Sequence, residues 1–342
     1  MKIRRRSFLA AASAAPALAM AQPELVKPRV LHPGDTVGLV TPSTYVSDPD
    51  RLWLAQRTIE ELGLRCKMGS RVGRREGYLG GTIRERVEDL HAMFADPEVK
   101  AVFCVRGGYG SAMLLDSLDY GLIRKNPKIF LGYSDITALH LAIHRLAGLV
   151  TFHGPVVLSG LSDWTLEHFR RALFETKPLG LLSNPPEPRP IRPRHPWRAV
   201  RPGQARGRLA GGNLTLISTT LGTPYEIQTE GRILFLEDVG EEPYSIDRML
   251  THLRLAGKFR GIRGLIWGEC SACRPREFQP GFESTFSTGE VVQNILGSLD
   301  VPVLAGLVIG HTDDQLTLPL GVEAELDAGA GTLTILEPAL TE

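Results

Sequence analysis

The strongest constraint on the fold is an alternation. Short apolar runs of strand length are separated by longer stretches whose apolar residues recur at helical spacing. The run Asp35 to Thr41 comes first, and the runs Ala101 to Val105 and Ile129 to Leu131 follow. Between and after them, Asp50 to Leu62, Ile83 to Phe94, Ser111 to Leu118 and Ile136 to Ala147 carry the helical period. Strands that are apolar along their length and joined by helices are buried on both faces, which predicts βαβ crossovers and a mostly parallel sheet of flavodoxin-like type, with helices on both sides.

The pattern breaks at Lys177 to Gln204, where Pro178, Pro185, Pro186, Pro188, Pro190, Pro193, Pro196 and Pro202 fall among arginines. Such a stretch predicts an extended linker. Beyond it the alternation resumes: Gly207 to Leu209, helix-like Leu214 to Leu221, strand Arg232 to Leu236, helix Ser245 to Ala256, strand Gly264 to Trp267, helix Gly289 to Leu296 and strand Pro302 to Ile309. Thr317 to Leu336 alternates with glycine punctuation, as antiparallel strands do. The expected plan is an α/β chain with an N-terminal domain over residues 28–176, a linker over 177–205 and a smaller C-terminal α/β domain with a mixed sheet over 206–342.

With 342 residues, 43% hydrophobic and 23% charged, the chain has enough apolar content for two cores. Its 39 Lys and Arg against 38 Asp and Glu leave a net charge of +1, which gives no reason to expect nucleic acid or an anionic membrane as partner. Met1 to Arg6 is basic, Phe8 to Ala15 apolar, and Ala19-Met20-Ala21 has the small residues of a cleavage site. Arg5-Arg6-Ser7-Phe8-Leu9 has the form of a twin-arginine export signal. Residues 1–21 are therefore expected to be a leader and the mature chain to begin near Gln22, periplasmic and without a stable membrane anchor.

The chain has four cysteines. Cys104 sits in an apolar run and is expected in the core, and Cys66 stands alone. Cys270-Ser-Ala-Cys273 has no second pair or histidine to complete a zinc site, and Arg274-Pro275-Arg276 follows where a redox motif would open a helix. It reads as a loop pair, with a local disulfide an open alternative. His140 and His144 share a helix face without an apparent third ligand, so no metal and no cofactor are expected. Asp247 is expected at a helix start or in an ion pair.

Ligands of open α/β sheets bind at the carboxyl ends of strands. Ser134, in Gly132-Tyr-Ser-Asp135, stands at such an end. It is either a helix cap or a nucleophile on a tight turn. Ile233 to Leu236 ends at Glu237, and Val301 to Ile309 ends at Gly310-His311. A serine needs a base to remove its proton, and the base needs an acid to fix its tautomer. The loop Arg106-Gly-Gly-Tyr-Gly110 ends a further strand and lacks the residues of a phosphate loop. Its Gly108 amide, with that of Asp135, suits an oxyanion hole. His153 ends another apolar run and could compete for the role of base, but reads first as a substrate wall or a structural histidine.

These motifs, with Thr41-Pro42-Ser43, Thr151-Phe-His-Gly-Pro155, Gly211-Gly-Asn-Leu214 and Glu242-Pro-Tyr-Ser-Ile-Asp-Arg248, together resemble the LD-carboxypeptidase family, which includes the microcin-immunity peptidases. The resemblance covers nearly the whole mature chain. It implies a hydrolase, a serine peptidase with a Ser134, Glu237, His311 triad in a two-domain homodimer, removing the terminal D-alanine from murein tetrapeptide in peptidoglycan turnover. Arg106, Tyr109, His153 and Asn213 are the expected substrate contacts, Arg106 for the terminal carboxylate. Such recycling enzymes are usually cytoplasmic, so the export signal departs from the family pattern. Two alternatives stay open: an immunity peptidase cleaving peptidyl-nucleotide antibiotics, with Tyr109, Trp197 or Trp267 as base platform, and a periplasmic peptide-binding protein without chemistry.

Overall fold

A computed structural model describes residues 23–187 and 191–342. The expected leader lies outside these residues. The first half runs β1 (Thr36–Val40), α1 (Pro49–Glu61), β2 (Arg65–Met68), α2 (Ile83–Ala95), β3 (Val99–Cys104), α3 (Tyr120–Lys125), β4 (Ile129–Gly132), α4 (Thr137–Ala147), β5 (Phe152–His153) and α5 (Asp163–Phe174). The second half runs β6 (Gly180–Leu182), β7 (Arg198–Arg201), β8 (Gln204–Asn213), α6 (Leu214–Thr219), β9 (Arg232–Glu237), α7 (Pro243–Leu255), β10 (Gly264–Gly268), α8 (Thr288–Ile295), β11 (Val303–Leu307), β12 (Leu318–Pro319), β13 (Glu323–Asp327) and β14 (Thr332–Ile335).

Two sheets result. The first has the order β12-β5-β4-β3-β1-β2 and is parallel from β5 to β2. The second has the order β6-β14-β13-β8-β9-β10-β11-β7, with β8 to β11 parallel and the outer strands antiparallel. The expected α/β fold, one sheet mostly parallel and the other mixed, is what forms. Strands β1, β4, β9 and β10 are buried at every position, as parallel strands covered on both faces must be.

Several elements begin where their sequences stop competing with the helix. Thr82 and Glu85 form a capping box at α2, and Ser287 and Glu290 form another at α8. Pro49 and Pro243 occupy the first turns of α1 and α7, where a missing amide hydrogen costs no intrahelical bond. Ser111–Ser117 is a 3-10 helix rather than the α-helix its spacing suggests, because the tight run from Gly110 anchors Ser111 to Asp135.

Two further expectations need correction. The Pro-rich stretch is not a free connector: its β6 and β7 form the two edges of the second sheet. Proline removes ladder donors and is tolerated at such edges. The segment after 206 is not confined to the second sheet either, because Leu318 and Pro319 pair with His153 and Phe152 at the edge of the first. One apolar cluster accordingly runs from Val37 and Phe103 through Phe152 to Phe235, Ile266 and Leu326.

Candidate active site

The end of β4 decides what Ser134 does. A 3-10 turn, Ser134–Ile136, follows directly, and no side chain caps it. Ser134 itself has φ of 64°, a left-handed backbone that side chains other than glycine adopt at a cost of about 1–3 kcal/mol. That turn aims its hydroxyl out of the strand end, and the hydroxyl meets His311 Nε2 at 3.1 Å. Of the two readings open in the sequence, the cap is excluded.

His311 follows β11 across residues 308–310. Its Nδ1 donates to Glu237 Oε2 at 2.8 Å, which leaves Nε2 as the acceptor facing Ser134. Glu237, the last residue of β9, is fully buried, and its Oε1 has no partner among the described residues. The Tyr133 ring lies against the imidazole with centroids 4.8 Å apart. Burial pushes the Tyr133 hydroxyl above its ordinary pKa. Three distant segments thus bring one alcohol, one imidazole and one carboxylate into hydrogen-bonded series.

The loop after β3 flanks the serine. A Cβ on Gly107 would lie 3.2 Å from that of Ser134, and one on Gly108, whose φ is 119°, would lie 2.2 Å from Thr44 Oγ1. Only glycines let the backbone pass this close. Arg106 is half-buried and forms no hydrogen bond or ion pair among the described residues. Tyr109 is exposed and meets Tyr78 edge-on at 5.6 Å.

Sequence reasoning misses what holds this loop. The Asp135 carboxylate accepts from Ser43 Oγ at 2.6 Å and from the Ser111 and Gly110 amides at 2.8 and 3.3 Å. Arg86, a buried side chain of α2, donates from Nη1 to the carbonyls of Pro42 at 2.7 Å and Gly110 at 2.8 Å. Burial lowers its pKa, and Asp135 opposes that shift. In the sequence Arg86 looks like one of many charges on a helix, and only its place in the apolar stripe beside Val87 and Leu90 marks it.

Two expected substrate contacts are turned inward. His153 is fully buried behind Tyr133, with ring centroids 6.2 Å apart, and also packs on His140 and Phe235. It is an interior histidine, kept well below its ordinary pKa by burial. Asn213 is buried too, because its Oδ1 caps α6 at Leu216 and its Nδ2 donates to Asp238 at 3.1 Å. Both ends of its amide are used inside the protein. Asp238, whose pKa is raised by burial and then by Glu237, also accepts from Thr215.

Other sequence candidates resolve simply. His140 donates from Nε2 to the Gly132 carbonyl at 2.8 Å, bracing the turn beneath Ser134. His144 is directed at the Leu149 carbonyl instead. No group of three metal-ligand residues occurs among the described residues. Cys270 and Cys273 form a disulfide, and Cys104 is buried. Ser271, between the bonded cysteines, donates to the His311 carbonyl. Asp247 accepts from Thr251 within α7. Among the described residues no helix is long and apolar enough to cross a membrane.

Comparisons with known proteins give the family. Residues 37–154 match the model of the LD-carboxypeptidase N-terminal domain and residues 206–326 that of the C-terminal domain. A probable murein peptide carboxypeptidase of Bacillus subtilis is 41% identical over 92% of this chain and 96% of its own. Among solved structures, the microcin C7 self-immunity protein MccF, known from Escherichia coli, bound to aspartyl sulfamoyl adenosine, superposes with a TM-score of 0.82 at 28% identity, covering 92% of this chain and 100% of that one. A muramoyltetrapeptide carboxypeptidase from Oxalobacter formigenes superposes with a TM-score of 0.75 at 29% identity, covering 89% of this chain and 99% of that one. With both domain models matched in order on either side of the Pro-rich segment, this chain belongs to the LD-carboxypeptidase family of peptidases.

Proposed function

We propose that the protein is a serine LD-carboxypeptidase that releases the terminal D-alanine from murein tetrapeptide. The observation that carries this reading is the unbroken series Ser134 Oγ, His311 Nε2, His311 Nδ1, Glu237 Oε2, with links of 3.1 and 2.8 Å. His311, held in the required tautomer by Glu237, takes the proton of Ser134 as its oxygen attacks the scissile carbonyl. The imidazolium is stabilised by the buried Glu237 carboxylate that accepts from its Nδ1. The amides of Gly108 and Asp135 receive the oxyanion, and His311 returns the proton to the leaving amine. Water, deprotonated by the same imidazole, then releases the acyl group from Ser134.

Charge supports this substrate. Arg106, lacking an internal partner among the described residues, offers a guanidinium to the carboxylate of a C-terminal residue, the group that distinguishes a carboxypeptidase substrate from an internal peptide bond. The murein-named relative supports a wall peptide as substrate. Within this reading residues 1–21 are a twin-arginine leader, so the enzyme would trim tetrapeptide stems in the periplasm, as a homodimer.

The decisive experiment follows D-alanine release from defined murein tetrapeptide by the purified chain and by Ser134→Ala. Release by the first and loss of several orders of magnitude in the second are expected. Full release by a folded Ser134→Ala protein ends the reading.

One observation favours a second substrate class. Tyr78 and Tyr109 form an exposed aromatic pair beside Gly108, and a nucleobase stacks on such surfaces. A peptidyl-nucleotide assayed beside the tetrapeptide separates the two, since preferential cleavage of the nucleotide conjugate would make this an immunity-type peptidase.

A further inference from the structure

The Pro-rich segment contributes more than two edge strands. His195 within it is buried, and its ring stands between two carboxylates: Nδ1 is 2.7 Å from Glu269 Oε2 and Nε2 is 3.1 Å from Asp314 Oδ2. Glu269 directly follows β10 and precedes the disulfide. Asp314 lies three residues beyond His311, in a loop closed where the Leu316 amide donates to the Val308 carbonyl.

Asp314 is a knot of several elements. Arg194 Nη1 reaches it at 3.3 Å while Arg194 Nη2 donates to Asp313 at 3.0 Å. Ser162, the cap of α5, donates to its other oxygen. Burial raises its pKa, but the Ser162, His195 and Arg194 contacts more than offset that and leave it lowered. The charged groups around the His195 ring are thus Glu269, Asp314 and Arg194, with Glu187 accepting from the His195 amide at 2.7 Å. The segment itself is fastened by Asn184, which donates to the His195 and Gly306 carbonyls and accepts from the Val308 amide.

We infer that His195 is a positioning residue for the hydrolytic reaction: by bridging Glu269 and Asp314 it fixes the loop that carries His311, and so the reach of the imidazole to Ser134. Each ring nitrogen lies within hydrogen-bond distance of one carboxylate, so a single side chain spans both acids. Without the ring, two acids face an empty space and Asp314 loses its link to Glu269. A base displaced by about 1 Å loses about a hundredfold in rate. This inference rests on the triad reading above.

The test measures kcat and KM for tetrapeptide with His195→Phe, which keeps a planar ring and removes both bonds, and with His195→Gln, which keeps a donor for one carboxylate. The His195→Phe variant is expected to lower kcat about a hundredfold with KM changed less than about threefold, and the His195→Gln variant to fall between it and the parent. The pH profile of Ser134 labelling by a fluorophosphonate is expected to move in both. If His195→Phe does not fold, Asp314→Asn and His195→Gln carry the same expectation of reduced kcat. Unchanged kcat in folded variants, even with a lower melting temperature, overturns the inference while Ser134→Ala remains inactive. An active Ser134→Ala protein overturns the triad reading instead.

Discussion

A Cβ at Gly310 would stand 2.0 Å from Glu237 Oε2, so the residue before the imidazole and the buried acid that orients it compete for one space. Gly310 also has φ of 89°. Gly310→Ala is therefore expected to displace Glu237 or His311 and lower kcat at least about a hundredfold. Wild-type turnover in this variant would show that the acid is not needed where it stands.

The glycine loop after β3 makes a related demand. Gly108→Ala places a methyl group 2.2 Å from Thr44 Oγ1 at a left-handed backbone position. With the Gly108 amide as the proposed oxyanion donor, the resulting displacement should lower kcat about a hundredfold to a thousandfold, as for loss of one such donor. Pairing it with Thr44→Gly removes the collision, and recovery of rate in the double variant would identify sterics as the cause.

Arg86 supports stability more than chemistry. Arg86→Met removes a buried cation's two bonds to the Pro42 and Gly110 carbonyls and should cost about 3 kcal/mol in denaturant unfolding. A loss below about 1 kcal/mol would mean that water takes over both carbonyls.

Acid should weaken the fold through its interior histidines. Burial lowers His140 to a pKa of about 4, and His153 is likewise depressed. Between pH 6.5 and about 4 the unfolded chain binds protons at these rings that the folded chain refuses, so stability is present above that window and declines as pH falls through it. Each ring contributes a slope of about 1.4 kcal/mol per pH unit. His140→Gln, which keeps a donor for Gly132, should lose less melting temperature between about pH 7 and pH 5 than the parent does. Identical losses would rule His140 out as a source.

The disulfide closes a short loop, and chain-entropy reasoning gives it about 2 kcal/mol at most. Since Ser271 holds the His311 carbonyl from inside that loop, Cys270→Ser with Cys273→Ser should reduce kcat as well as stability. A variant less stable but kinetically unchanged would separate the loop from the site.

The three residues of the hydrogen-bonded series are legible in the sequence because each ends a continuous apolar run, and strand ends are where ligands sit. Their supports are not. Arg86, Ser43 and Ser111 gather around Asp135 and its loop only after β1, β3 and β4 lie side by side, and no local signal says that they meet there. Asn213 and His153 read as facing the substrate because they also end strands, yet a buried amide with partners at both ends has none left to offer. The edge strands β6 and β7 hide among prolines, whose local signal is for extension and says nothing about pairing. Helix α5 also escapes the sequence reading, although its Ser162 cap reaches Asp314.

Leu318 and Pro319 carry one last implication. By returning to pair with Phe152 and His153, the chain laces its tail into the sheet that displays the serine. Severing the polypeptide in its Pro-rich stretch would leave an N-terminal fragment missing its outermost strand and a C-terminal fragment with an orphaned one. Neither would be a self-sufficient module, which ties inheritance of the nucleophile and of its base to a single gene product.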